Sequence, residues 1–463
     1  MPNFVIGIEI VGLFNKFDIS HSFSPGINII FGKNGRYKTT LLHIIANALN
    51  EDYERFIKLQ FNCIKIHLDG GITISLRWDL ANEKLVVSRS DKRRRIIKEI
   101  PKDYSKLSDK FEKFSYSPIL PTAYFPAFRT MIEAWIEAWA SGENDKNNYQ
   151  LIPNHEDEIN HRKQATIFAR KLFGDFIPQI NYLSLLEIER SLIREIQEAT
   201  LTTAQVDRKV LSQSFVEIFA ALSLKSNPVV EKPENLLKEI EQLSQRIQNY
   251  PLQEDSMLVA GIDRKLRDML NSIQFDDIDS QQTAVQVLSV YRNLLGEIVN
   301  AQEKAFSQIE RYLDSVNKFL EDKKVEVNIQ NFEPYSPSIN LILDDGDSLN
   351  GLQALSSGER QIITLIYAAH RSSQKVILID EPEISLHVDW QEQLIPEMSK
   401  QLQNRQIITC THSPMIGANY EDSLMEMNIA PTDEDTWSFE DFKEDDYSKD
   451  DKAIVDDEDL IDN

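Results

Sequence analysis

The loop Gly32-Lys33-Asn34-Gly35-Arg36-Tyr37-Lys38-Thr39-Thr40 follows the apolar run Ile27-Asn28-Ile29-Ile30-Phe31 and leads into a segment with helical spacing. A loop so placed turns backbone N–H groups and a helix N-terminus toward phosphate groups. In that chemistry Gly32, Asn34, Gly35 and Thr40 line the phosphates, Lys38 neutralises their charge, and Thr39 binds Mg2+. The plain alternative is a strand-to-helix turn that happens to contain glycine. Tyr37 stands where such loops usually have glycine. A side chain there narrows the loop and disfavours positive φ, so slow turnover is expected.

Two carboxylates, Asp380 and Glu381, follow the apolar strand Val376-Ile377-Leu378-Ile379. Strand ends of this kind are where α/β folds gather their ligands. Asp380 would hold Mg2+, directly or through water, and Glu381 would polarise an attacking water. The bland alternative is a strand that runs into an acidic turn. Ser357 and Gly358, at the start of an apolar helix, offer a second anion site, although serine, glycine and glutamate also suit a simple N-cap. His412 sits in Thr411-His412-Ser413-Pro414 after a further strand, where a lone histidine is otherwise most often structural.

These patterns need elements to position them. Phe4 to Val11 alternates weakly, and a helix is expected from about Thr39 to Leu49 with Leu41, Leu42, Ile45 and Leu49 on its apolar side. Ile64 to Leu68, Asp69-Gly70-Gly71 and Ile72 to Leu76 read as a hairpin, which Leu85 to Val87 extends. From about Ser105 to Leu320 helical spacing dominates. Leu185, Ile188, Leu192 and Ile196 share one face, as do Val299, Gln302, Phe306, Ile309, Leu313, Val316 and Leu320. Asn227-Pro228 and Tyr250-Pro251 break this helical part. Strands return at Val325 to Ile329, Ile339 to Leu343, Val376 to Ile379 and Gln406 to Cys410.

Composition excludes several classes. The 463 residues are 41% hydrophobic and 27% charged, which fits a soluble globular protein of two or three domains. No run approaches the roughly 20 apolar residues of a membrane span, and the amino terminus lacks a signal-peptide pattern. Cys63 and Cys410 are the two cysteines, so a disulfide framework is excluded and a reducing cytoplasm is expected. The net charge of -24 argues against free binding to nucleic acid. Residues 433–463 hold fifteen acidic and three basic side chains, half of that excess, with Trp437, Phe439, Phe442 and Tyr447 among them. The basic run Lys92-Arg93-Arg94-Arg95 is a solvated loop edge or a phosphate-contacting patch.

Order joins the patterns: phosphate loop, Ser357-Gly358, Asp380-Glu381 and His412 follow one another as one fold requires. Leu355 to Gln361 resembles the ABC signature, and Val376 to Glu383 the Walker B strand. With Phe31 to Leu42, the Glu381-Pro382-Glu383-Ile384-Ser385-Leu386-His387 stretch and Thr411 to Pro414, the chain resembles ABC/SMC-type ATPases of the overcoming-lysogenization-defect (OLD) group, catalogued as AAA-15 or AAA-21. Tyr124-Phe125-Pro126-Ala127-Phe128-Arg129 is similar to a further stretch of such proteins. The resemblance implies ATP and Mg2+ as cofactors, His412 as a switch histidine at the γ-phosphate, and Ser357 acting on the nucleotide of an opposite subunit. A glutamine that senses Mg2+ in this class is not assignable from sequence.

The expected fold is α/β. It is an ABC-type P-loop ATPase head, a mixed sheet with helices, carrying a large α-helical insertion and a disordered acidic C-terminal tail. The segments are 1–104 and 323–430 for the head, 105–322 for the insertion and 431–463 for the tail. About 50 residues, mostly acidic, follow His412, so no fused nuclease is expected. The resemblance then narrows to stand-alone ATPase subunits of antiphage systems such as PARIS and Septu. Such a subunit forms homodimers or higher oligomers with composite ATP sites, regulates a separate nuclease effector, responds to a phage protein, and has no membrane partner. The alternative is a DNA-repair or recombination ATPase of RecF/Rad50 type that binds DNA directly, and DNA binding stays open between the two.

Overall fold

The computed structural model describes residues 2–79, 81–90, 95–102, 118–142, 155–223, 233–248, 278–328, 338–352, 354–370 and 374–432. The acidic residues 433–463, the basic run at 92–94, and both expected helix breaks lie outside the described residues. The chain divides into two compact units, Met1–Glu187 with Leu355–Asn463, and Ile188–Ala354.

In the first unit, β1 (Val5–Leu13), β2 (Phe17–Ser22), β4 (Cys63–Leu68), β5 (Ile72–Asp79), β6 (Lys84–Ser90), β7 (Arg95–Pro101) and β15 (Ile429–Pro431) form an antiparallel sheet in the order β15-β2-β1-β4-β5-β6-β7. The expected hairpin is present, with Leu68 paired to Ile72. A second sheet is parallel throughout. It contains β3 (Ile27–Phe31), β8 (Thr122–Phe125), β12 (Val376–Asp380), β13 (Gln406–Thr411) and β14 (Leu424–Glu426), ordered β14-β3-β13-β12-β8. Its central strands β12 and β13 are buried along their whole length, which is why they read as unbroken apolar runs. Helix α1 (Lys38–Leu49) follows β3, and its Leu41, Leu42, Ile45 and Leu49 enter one core with Ile8, Ile10, Ile64 and Ile66 of the first sheet and Leu378 and Ile408 of the second. Gln406 fastens the two sheets: its side chain accepts from Val5 N–H at 2.9 Å and donates to the carbonyls of Val5 at 2.8 Å and Ser24 at 2.9 Å.

Helices α2 (Arg129–Gly142) and α3 (His155–Phe173) also belong to the first unit. The second unit holds most of α4 (Leu185–Ser223), then α5 (Pro233–Gln248) and α6 (Ile278–Asn317), and a three-stranded sheet of β9 (Lys323–Asn328), β10 (Ser338–Leu343) and β11 (Ser348–Asn350). The expected helix faces are buried there: Ile188, Leu192 and Ile196 on α4, and Val299, Gln302, Phe306, Ile309 and Val316 on α6. Helices α7 (Ser357–His370) and α8 (Val388–Gln401) return to the first unit. No helix among the described residues is long and apolar enough to cross a membrane.

Compactness groups the chain differently from the expected segments. The stretch 105–187, read as the start of the insertion, supplies β8, which pairs with β12 in the parallel sheet. All four residues of β8 are buried, so no two-residue alternation marked it as a strand. Conversely, β9 and β10 are strands as expected but form their own sheet with β11 in the second unit instead of joining the head sheet.

Candidate functional site

The carboxyl ends of β3, β12 and β13 lie side by side, with Asp380 paired to Cys410 and Thr411 to Phe31. The loop after β3 runs from Gly32 to Tyr37, and residues 33–36 are exposed. Gly32 sits close to its neighbours, since a Cβ there would stand 3.2 Å from Met427 Cβ. Gly35 takes φ +78°, which glycine adopts without steric cost. Lys38 is buried and folds back over the loop, donating to the carbonyls of Gly32 at 2.7 Å and Lys33 at 3.2 Å. The first turn of α1 contains no acidic residue of its own, so its N–H groups are left for an anion. Thr39 is exposed and Thr40 half-buried. Tyr37 adopts φ 58° and ψ 21°, the left-handed conformation that a side chain was expected to disfavour. Its ring is taken up by Phe14 of the β1–β2 turn and Phe17, the first residue of β2, with centroids 5.2 Å from each.

Across from the loop, the buried Asp380 accepts from the Thr39 hydroxyl at 2.9 and 3.1 Å. Burial pushes its carboxyl up to about 6, against the pull of the Thr39 hydrogen bond. Glu381 takes φ 49° and donates its N–H to Cys410 O at 2.9 Å. Its carboxylate lies 3.9 Å from Lys38 Nζ and contacts His412 Nδ1. Burial, and next the Glu383 carboxylate, hold Glu381 above the usual glutamate range. His412 is half exposed and also reaches Glu383 Oε1, at 3.1 Å. Lys38, Thr39, Asp380, Glu381 and His412 therefore meet in space although they span most of the chain. Among the described residues, Glu381, Glu383 and His412 form a group whose ligand atoms lie within 4.8 Å of one another.

Helix α7 begins with a capping box: Glu359 N–H donates to Ser356 Oγ at 3.4 Å, and Ser356 N–H donates to Glu359 Oε2 at 2.8 Å. The cap is Ser356, so the expected N-cap exists but leaves Ser357 exposed as the first residue of the helix. Gly358 is buried, and a Cβ there would meet Ser385 O at 2.7 Å. Neither Ser357 nor Gly358 is linked by a hydrogen bond described here to the phosphate loop of its own chain.

Sequence reasoning missed the residues that hold the acidic turn. Arg129, 1% exposed, donates to the carbonyls of Pro126 and Asp380 at 3.1 Å and of Glu381 and Pro382 at 3.2 Å. Gln361 of α7 donates to Pro382 O at 2.8 Å, and Gln391 of α8 accepts from Ser413 Oγ at 2.7 Å. The available signal was Tyr124 to Arg129, which ends in an arginine after a strand.

A parallel sheet whose carboxyl edge joins a lysine-bearing loop to an acidic strand end defines the class: an α/β P-loop nucleotide-binding fold. The chain belongs to the AAA ATPase domain family AAA_15, whose model matches residues 13–416. Part of it is similar to "Retron Ec83 probable ATPase" of Escherichia coli, 29% identical over 143 residues, 28% of this chain and 24% of that protein. Another match is "Retron Vc95 probable ATPase" of Vibrio cholerae serotype O1 biovar El Tor, 23% identical over 184 residues, 33% of this chain and 34% of that protein. The chain thus spans about a quarter to a third of these relatives. Among solved structures, the Smc head domain of Pyrococcus furiosus bound to the C-terminal domain of ScpA aligns over 93% of this chain and 97% of that one, at 14% identity and TM-score 0.36. An SmcHead bound to the C-winged helix domain of ScpA aligns over 92% and 98%, at 11% identity and TM-score 0.34.

Proposed function

We propose that this ATPase closes its nucleotide site between two copies and serves as the controller of a separate nuclease effector in a prokaryotic antiphage system. The observation that carries the hydrolytic part is the convergence of Lys38, Thr39, Asp380, Glu381 and His412 at one sheet edge. Thr39 and Asp380 supply hard oxygen donors already in contact, a set that fits Mg2+. Mg2+ bound there would draw charge from the β- and γ-phosphates. Lys38 meets phosphate charge, Glu381 orients and polarises the attacking water, and His412 contacts the γ-phosphate. The exposed Ser357 turn serves the nucleotide of the facing copy, whose γ-phosphate completes the anion site.

The defence reading rests on the OLD-type resemblance and draws support from the two partial matches, both described as retron ATPases. The acidic segment 433–463 suits docking on the basic surface that a nuclease needs to hold DNA.

A mixing experiment tests the shared site. Lys38→Ala and Ser357→Arg chains, each inert alone, should regain ATPase activity when mixed, because one intact composite site forms per pair. Co-assembled but inert mixtures would sink the shared site. ATP-dependent DNA binding that requires Lys92 to Arg95 would instead favour the repair reading.

A further inference from the structure

We infer that Glu383 is a positioning residue for hydrolysis: its carboxylate fastens the His412 loop to the turn that carries Glu381. The inference rests on the reading of Glu381 and His412 as hydrolytic groups.

Glu383 is 6% exposed and lies just beyond Pro382 on the acidic turn. Its Oε1 accepts from Thr411 Oγ1 at 2.6 Å, His412 N–H at 2.9 Å and Ser413 N–H at 3.1 Å. These donors come from three consecutive residues at the end of β13. A buried carboxylate is costly unless donors meet its charge, and one loop supplies the three that meet Oε1. The loop is thus pinned at three successive residues, and the imidazole of His412 is presented from a fixed backbone to Glu381.

Arg129 and Gln361 grip the carbonyls of the same turn. Glu383 therefore joins two segments, the strand end that bears the water-polarising carboxylate and the loop that bears the histidine. Neighbouring strands alone set their spacing only at the level of the sheet. Misplacing a group by about 1 Å at a reacting centre can cost on the order of 100-fold in rate.

Glutamine separates positioning from charge, because its amide oxygen accepts the same hydrogen bonds without the negative charge. ATPase turnover and Mg2+·ATP affinity should be measured for Glu383→Ala, Glu383→Gln and Thr411→Val, with Glu381→Gln as the reference. Glu383→Ala should lose about 30- to 100-fold in kcat while ATP affinity stays within about twofold. Glu383→Gln should recover to within about threefold of the parent, and Thr411→Val, lacking one donor, should lose about 3- to 10-fold. Should Glu383→Ala fail to fold, the glutamine and valine variants decide. A glutamine variant as impaired as the alanine variant, a loss of ATP affinity in place of kcat, or wild-type turnover in Thr411→Val would each overturn the inference. Full turnover in Glu381→Gln would overturn the underlying hydrolytic reading instead.

Discussion

The phosphate loop and the acidic turn face each other across the site, yet opposite means hold them. Residues 33–36 of the loop are exposed, and the loop is steadied by Lys38 on its carbonyls and by the Tyr37 ring against Phe14 and Phe17. In the acidic turn, Asp380, Pro382 and Glu383 are buried, and hydrogen bonds reach it from the start of α2, from α7 and from the end of β13. A loop that must wrap an anion keeps its N–H groups free for the ligand. A turn that must hold two carboxylates at set angles, one of them at φ 49°, needs external fixing.

The contrast breaks most severely at Arg129. Arg129→Met removes side-chain donors to four carbonyls. Pro126 O keeps the backbone N–H of residue 129, Glu381 O keeps Ile384 N–H and Pro382 O keeps Gln361, so the turn loses its central clamp at Asp380 O and one bond at each of the others. A loss of about 3–5 kcal/mol in urea unfolding is expected. A loss below about 1 kcal/mol would show that the turn holds itself.

Glu381→Gln tests the chemistry at that turn. On the proposed role of Glu381 in polarising water, it should lower kcat by about 100- to 1,000-fold while leaving ATP bound. Lys38→Ala, on the loop side, should lose binding itself. Equal effects on binding from both variants would erase the division between the two sides.

Asp380→Asn sharpens the comparison through stability. The folded carboxyl titrates at about 6, above its ordinary value of 3.8, so ionisation costs the fold stability. That cost is absent below pH about 3.8, grows between 3.8 and 6, and is complete above 6. Unfolding in urea without nucleotide or Mg2+ should find Asp380→Asn about 1–3 kcal/mol more stable at pH 7.5, with much less gain at pH 4.5. Hydrolysis should be lost. Equal gains at both pH values would rule out the ionisation cost as the cause.

The smallest effect belongs to the loop. Tyr37→Gly relieves the left-handed backbone, worth about 1–2 kcal/mol, but gives up aromatic contacts worth about 0.5–1.5 kcal/mol each and frees the unfolded chain. The losses slightly outweigh the gain, and stability should fall by about 1 kcal/mol. A larger loss would make the Phe14-Tyr37-Phe17 contact the main support of the loop.

Much of the site was legible because it consists of local patterns on strand ends. The glycines, Lys38 and Thr39 announce themselves by spacing, and Asp380 and Glu381 by the apolar strand before them. Arg129 and Glu383 were not legible in the same way. Arg129 acts on backbone carbonyls about 250 residues away, and carbonyl oxygens have no residue identity. Glu383 was visible within its motif, but its partners at 411–413 are chosen by the pairing of β12 with β13.

By itself the sequence determined the α/β class and the helices of the middle, and it named the residues proposed to meet phosphate, since each follows from residue type and local period. Only the tertiary structure decided that β8 stands beside β12, that β9 to β11 form a separate sheet, and that Ser356 caps α7 and leaves Ser357 exposed. Strand partners and long-range hydrogen bonds depend on which segments the core brings together. A buried four-residue strand such as Thr122–Phe125 carries no alternation that could name its neighbour.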